Sequence, residues 1–312
     1  MLPDKFGRPV DLIQISASGR CQYSCSHCAV VKADTGVNLL PTDQILRFVR
    51  ILAALGLTRA RLIGGGEPLM RQDIVELTAG LVATRGIKTV SMSTNGKLLS
   101  EKSEGLKKAG LHHLFVTIPA LDRELFKSIT GSDGLDATLD GLKAALSHNI
   151  LTTIRMTLLP GVNDDEMEKL MDFAIERGLD IYIIEGNPPG AVGRIGSQDI
   201  IVRISARHKL SRLEGASPFN HPWRLEGTNS AVKIVTADNA RACGSCNRLW
   251  LSADGTVISC NMLTSNADLQ YILEDDPTDE ELARYAAKIA LNKPMRGAIP
   301  CFRNMPTGEP QV

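Results

Sequence analysis

The sequence predicts an α/β protein: a parallel sheet closed into a barrel or partial barrel, followed by an extension of different character. Three observations carry this. Six short apolar segments alternate with amphipathic segments of helical period before residue 190, and strand–helix alternation of this kind builds a parallel sheet. Unusual loops rich in glycine, asparagine or cysteine follow several of these strands directly, at the strand ends where barrels place their active sites. Beyond about Pro188 the alternation stops, and the next fifty or so residues mix polar and apolar positions without a clean period.

Taken in order, Asp11–Ser16 reads as a strand feeding a cysteine-rich loop. Pro41-Thr42-Asp43 opens a helix with Ile45, Phe48, Val49, Leu52 and Leu55 on one face, and Gly56 stops it. Arg59–Ile63 is a strand that runs into Gly64-Gly65-Gly66-Glu67-Pro68. A helix over about Gln72–Thr84 ends at Gly86, and strand Thr89–Met92 leads to Ser93-Thr94-Asn95-Gly96. The next helix reaches about Lys108. His113–Thr117 is the fourth strand, followed by a helix over Asp136–Ser147. Leu151–Leu159 is the fifth strand, with Pro160–Asp164 behind it, then a helix over Asp165–Glu176 and a sixth strand over Asp180–Ile184. This places a barrel in residues 1–190 and an extension in 191–312. In the extension, Leu249–Ser252 and Thr256–Ser259 read as a hairpin around Asp254-Gly255. Thr278 and Glu281 form a capping box for a helix that buries Leu282, Tyr285, Ala286, Ile289 and Ala290.

The bulk composition narrows the function. The chain has 312 residues, 43% apolar and 22% charged, with a formal net charge of zero. That argues against broad capture of a nucleic acid polymer or an anionic membrane. No apolar run approaches the roughly 18 residues of a membrane span, and the N-terminus shows no signal-peptide core. The expected location is cytoplasmic, where thiols stay reduced. Seven cysteines there point to metal or redox chemistry.

Cys21, Cys25 and Cys28 form a C-x3-C-x2-C loop. Three thiolates can hold three irons of a [4Fe–4S] cubane and leave the fourth open to a ligand; a zinc site completed by His27 is the rival. Cys243, Cys246 and Cys260 form a second three-thiolate set, either another cluster or a zinc-clipped hairpin. Arg248 stands two residues past Cys246, near the metal. Gly64–Pro68 lets a ligand approach the backbone, and the Glu67 carboxylate beside it suits an ammonium; the alternative is a plain strand–helix turn. Cys301 reads as a packing residue or a hydrogen donor. Trp223 and Arg224 are candidate pocket residues.

Together these motifs are identified with a known pattern. Cys21-x3-Cys25-x2-Cys28 with Gly65-Gly66-Glu67-Pro68 resembles the radical S-adenosylmethionine (SAM) superfamily. Cys243-Gly244-Ser245-Cys246-Asn247-Arg248-Leu249, with Ala253-Asp254-Gly255 and Cys260, resembles the molybdenum cofactor biosynthesis protein A family, the GTP 3′,8-cyclases. Ser93–Gly96 and Gly161–Asp165 add to the match, which covers about residues 11–300. The resemblance implies a partial (β/α)6 barrel of TIM type and a C-terminal extension carrying an auxiliary cluster. It implies two [4Fe–4S] clusters, on Cys21, Cys25 and Cys28 and on Cys243, Cys246 and Cys260. Reductive cleavage of SAM would give a 5′-deoxyadenosyl radical that abstracts hydrogen from a small-molecule substrate. His27, Gly65, Gly66, Glu67, Ser93, Thr94, Asn95, Thr117 and Asn187 would contact SAM. An electron donor such as flavodoxin or ferredoxin, and a monomer or homodimer, complete the expectation.

The departures concern the substrate. Alignment places Gln14, Leu62, Thr153, Tyr182 and Trp250 where the cyclases carry basic groups, and only Arg248 remains. The tail lacks the double glycine typical of the cyclases, and Pro119 replaces an aspartate. The expected pocket is therefore less basic, and its substrate smaller or less anionic than GTP. The outcome would be cyclisation, rearrangement, epimerisation or oxidation, with Cys301 as donor in the epimerase case. The rivals are a GTP 3′,8-cyclase with a pocket rebuilt from Arg155 and Arg224, a zinc-clipped binding protein, and a cluster-bearing electron carrier.

Overall fold

The computed structural model describes residues 2–28, 38–186, 195–213, 220–235, 246–260, 267–268 and 277–294. Six parallel strands lie side by side in chain order: β1 (Leu12–Ser16), β2 (Arg59–Ile63), β3 (Thr89–Thr94), β4 (His113–Thr117), β5 (Thr152–Leu158) and β6 (Asp180–Glu185). Between them run helices α1 (Thr42–Ala54), α2 (Ile74–Ala83), α3 (Leu99–Lys108), α4 (Arg123–Thr130), α5 (Leu135–Ser147) and α6 (Glu166–Glu176). These follow the sequence expectation, with one addition. Helix α4 has eight residues, too few for its period to be read among its polar neighbours. The Asp122 side chain caps it by accepting from Leu125 N, and left-handed Gly131 ends it at φ 68°.

The later chain joins the same sheet at both edges. After α7 (Ser197–Ser205) come β7 (Leu210–Arg212), β8 (Asn220–Leu225) and β9 (Ala231–Val235), and β9 pairs parallel with β6. Then β10 (Arg248–Leu251) pairs parallel with β1, and β11 (Thr256–Ile258) and β12 (Ala267–Asp268) extend that edge antiparallel. Eight parallel neighbours, β10 through β1–β6 to β9, form the centre of a twelve-stranded sheet. Helix α8 (Asp279–Leu291) starts at the expected capping box and is tied to α1 by Arg47 Nε and Asp279 Oδ1 at 2.9 Å.

Side chains alternate across each strand, so the sheet has two chemically distinct faces. Ile13, Ile15, Leu62, Met92, Val116, Ile154, Ile183, Ile234 and Leu251 point to the helices, where they join Phe48, Leu52, Leu77, Leu106, Leu142 and Leu170 in one core. Burying each such side chain contributes roughly 1.5–3 kcal/mol. The register puts the other set on one opposite face: Gln14 beside Arg61 and Trp250, Ser91 beside His113, and Phe115 beside Thr153 and Ser93. Arg155, Tyr182 and Lys233 continue it. This face is concave. Arg61 of β2 lies over the Phe115 ring of β4 at 4.7 Å, and Phe115 meets Tyr182 of β6 edge-on at 5.5 Å.

Candidate active site

The first thiol site hangs on the C-terminal end of β1. Its loop is tied down on two sides. Glu67 N donates to Arg20 O at 2.6 Å, and a Cβ on Gly66 would overlap that same carbonyl, so only glycine allows the two loops to meet. On the other side Ser24 N and Ser26 N each donate at 2.8 Å to Thr130 O and Ile129 O of α4. Tyr23 is buried against Phe126 and hydrogen-bonds Gly134 O and Thr138 Oγ1. The helix that the sequence reading missed is thus the seat of the cysteine loop.

Cys21, Cys25 and Cys28 are free thiols. Burial first, then the charges of Cys28 and Cys21, push Cys25 up to about 12. Three thiolates this close repel one another unless a cation neutralises them. Among the described residues no three His, Cys, Asp or Glu side chains converge on a single ion position, so the fit rests on donor chemistry. Soft thiolates in this number suit an iron–sulfur group.

Glu67 is 2% exposed, and its carboxylate is spent inside the protein. Oε1 accepts from Leu69 N at 3.1 Å and Thr94 Oγ1 at 2.6 Å, and Oε2 from Asn95 N at 2.8 Å. Burial still pushes its pKa up to about 7 against these three donors. Bonded in this way, the Glu67 and Thr94 side chains brace the glycine turn against the end of β3. Asn95 lies 3.8 Å from Cys21 Sγ through Nδ2 and accepts from Gln22 at 3.1 Å. Ser93 is within β3, and its Oγ accepts from Arg155 at 3.2 Å. Thr117 lies beside Arg155 on the concave face.

The concave face is more basic than expected. Leu62 is fully buried on the helix side, and Arg61 occupies the inward position. This corrects Leu62 as a substrate contact: neighbouring strand residues face opposite ways. Arg61 donates to Ser91 Oγ at 3.1 Å, and burial pushes its pKa down to about 10, with Arg155, Arg248 and Arg59 adding to the fall. Arg155 Nε is buried without a partner, as are His27 Nδ1 and Gln14 Oε1. His27 is held below its usual pKa by burial and by Arg155. His113 stacks on Phe115 at 4.3 Å and bonds Thr153 Oγ1 at 2.8 Å. Burial, then Lys233 and Arg61, push its pKa down to about 4. Lys233 lies 5.2 Å over the Tyr182 ring. Sequence reading missed Arg61, His113 and Lys233; alternation within the predicted second and fourth strands marks Arg61 and His113 as inward-facing, whereas Lys233 lies on β9, which has no strand signal of its own in the sequence reading. Trp223 packs against the main core, away from this face, whereas Arg224, exposed and opposite Ala231, lies on the same side of the sheet as Lys233.

The second thiol site lies at the opposite end. Cys246 precedes β10 and Cys260 follows β11, so both flank the open end of the hairpin, at the N-terminal end of a strand parallel to β1. Five residues of β1 at about 3.3 Å each separate the two ends by roughly 16 Å. Gln14, Thr153, Tyr182 and Trp250 lie along the face between them, and Arg248 opens β10 beside Cys246. Cys243, Asn187 and Cys301 lie outside the described residues.

Residues 15–174 match the Radical SAM superfamily and residues 179–299 match Molybdenum Cofactor Synthesis C. A GTP 3′,8-cyclase of Ectopseudomonas mendocina is 32% identical over 95% of this chain and 92% of its own length. A GTP 3′,8-cyclase of Listeria monocytogenes is 30% identical over 94% and 91%. Among solved structures, Streptococcus suis SuiB bound to S-adenosylmethionine superposes with a TM-score of 0.65 at 16% identity, covering 88% of this chain and 68% of that one, a likeness of fold. The cofactors of such an enzyme are SAM and two [4Fe–4S] clusters, which the two thiol sites suit. Among the described residues no helix is long and apolar enough to cross a membrane. The chain belongs to the radical SAM superfamily, in the family of the GTP 3′,8-cyclases.

Proposed function

We propose that this radical SAM enzyme acts on a compact substrate with an anionic group and a planar or apolar body, and that the substrate is not GTP. One observation carries the reading. Arg61 and Arg155 sit half-buried on the concave face between the thiol sites, and neither has a carboxylate partner among the described residues. A desolvated guanidinium without an anion costs several kcal/mol, and a bound anion repays this through charge-assisted hydrogen bonds of roughly 1.5–3 kcal/mol each. Phe115, Tyr182 and Trp250 supply flat surface beside them. Against GTP stand Gln14, Thr153, Tyr182 and Trp250, four neutral groups on the face that a triphosphate would occupy.

Bound together, a reduced cluster and SAM would supply the radical chemistry that abstracts hydrogen from the substrate. The chain's own part is placement and exclusion of water. Cys21, Cys25 and Cys28 would hold the first cluster, and the Gly64–Gly66 backbone the methionyl end of SAM. Arg155, next to His27, would orient the substrate at the radical end. Arg61 and Arg248 would hold it deeper, towards the second site. The outcome is cyclisation, rearrangement, epimerisation or oxidation. An electron donor of flavodoxin or ferredoxin type and a cytoplasmic location belong to the same proposal.

A second reading has its own support. Curated relatives at 30–32% identity are named GTP 3′,8-cyclases, and the inward Arg61 adds a cation that the alignment had removed. One assay decides. Anaerobically loaded protein with SAM and dithionite is offered GTP, then a panel of small phosphorylated and carboxylated compounds, and 5′-deoxyadenosine is counted. Conversion of GTP to a cyclic nucleotide overturns the proposal. Cleavage stimulated by a smaller anion but not by GTP supports it.

A further inference from the structure

Lys293 is 1% exposed, among the most deeply buried long side chains in the protein. It follows α8 and turns back to the base of the β10–β11 hairpin. Its Nζ donates to Arg248 O at 2.6 Å, Ser259 O at 3.1 Å and Cys246 Sγ at 3.3 Å. An ammonium has three donors, and all three are used. None of these partners is a carboxylate. Two are neutral carbonyls, and a buried cation left with neutral partners alone is strongly unfavourable. The sulfur is the one partner that can carry negative charge.

The position of the three acceptors is as informative as their chemistry. Arg248 begins one arm of the hairpin and Ser259 closes the other, and each stands within two residues of a cysteine of the second set. The lysine therefore ties together the two chain segments whose thiols must stay in register. Its own backbone is held from behind: Arg8 donates to Pro294 O at 2.7 Å, and buried Asp4 fixes Arg8.

We propose that Lys293 is the positioning and charge-compensating residue of the second thiolate site. Its ammonium holds Cys246 Sγ and both hairpin arms, and its charge offsets that of an iron–sulfur cluster carried there. Hydrogen bonds to sulfur and local net charge set the potential of such clusters. Lys293 thus raises the second cluster's potential. The proposal rests on the cluster reading of Cys243, Cys246 and Cys260, which iron and sulfide counts test separately.

The test uses the full chain with Cys21, Cys25 and Cys28 changed to serine, so that only the second site loads. With Lys293 present, the chain should take up about four irons and four sulfides. An empty site overturns the cluster reading and the proposal with it. In Lys293→Met, a redox titration followed by electron paramagnetic resonance should give a lower midpoint potential and a changed line shape, and Lys293→Arg should move both back towards the parent. A loaded Lys293→Met chain with the parent's potential and line shape overturns the proposal, even if its metal-free form melts lower, because packing alone would then explain the lysine. Should Lys293→Met fail to fold, the unmutated lysine supplies the readout. Electron–nuclear double resonance on 15N-lysine-labelled protein should detect a weakly coupled lysine nitrogen and exchangeable protons at the reduced cluster, and their absence overturns it.

Discussion

Replacing Arg61 with methionine should stabilise the metal-free chain while removing its hold on anions. Burial is the main cause that takes Arg61 from 12.5 to about 10, a differential cost to its charged form of about 3 kcal/mol. The folded value lies below the unfolded one, so the folded chain sheds this proton first. Stability therefore rises with pH between about 10 and 12.5, and at neutral pH the whole cost is present. The bond to Ser91 Oγ and the Phe115 face return about 1–2 kcal/mol of it. Methionine fills similar space without the charge, which leaves a net gain of about 1–2 kcal/mol. In a chain of this length that is a rise in Tm of roughly 1.5–3 °C. Scanning calorimetry on metal-free protein measures it, repeated with inorganic phosphate. The parent should gain Tm with phosphate and Arg61→Met should not. A variant that melts lower than the parent, or that phosphate stabilises equally, refutes the view of Arg61 as a cation awaiting its anion.

Three further outcomes follow from the same geometry. Gly66→Ala should displace the cysteine loop, because the new methyl overlaps Arg20 O; iron analysis should fall to one cluster per chain while far-ultraviolet circular dichroism stays unchanged. Glu67 has a folded pKa of about 7, above the usual 4.5, so its contribution to stability is full below about pH 4.5 and is lost as pH rises through 7. Urea unfolding should show the parent losing about 3 kcal/mol relative to Glu67→Gln between pH 4.5 and 8, and a pH-independent difference between the two chains counts against the assignment. Asp122→Ala removes the cap of α4 at a cost of about 1 kcal/mol. Because α4 seats the cysteine loop, the first cluster should also be lost faster to a chelator, at a rate that optical bleaching measures.

The parts of the fold that were legible in the sequence are those written in local pattern. The six strands and most of the helices between them announce themselves by period, the hairpin by Asp254-Gly255, and α8 by its capping box, where Thr278 N meets Glu281 Oε2 at 2.8 Å. What stayed hidden is non-local. Strand β10 pairs with β1 across more than two hundred residues, and β9 pairs with β6 around a segment without a clean period. Nothing in Arg248–Leu251 says which strand it will lie beside. That pairing decides that the second thiol set faces the first along the concave face, and does not lie on a separate lobe.

Most of the candidate site was readable by residue type, but its charge depended on a count. Alignment with the cyclases puts Leu62, two residues before Gly64-Gly65-Gly66, at a basic pocket position. Those glycines do not continue the strand, since a Cβ on Gly64 would overlap Gly66 O, so the turn folds back on itself. Alternation counted through such a turn carries no information, and an error of one residue exchanges the two faces of a strand. Counted within β2 itself, from the register Ile15 beside Leu62 and Gln14 beside Arg61, the answer reverses. A leucine leaves the pocket for the core, and an arginine enters it. The charge of the concave face therefore follows from strand pairing. A pocket alignment drawn across a glycine turn has to be recounted on each strand before its residues are assigned a charge.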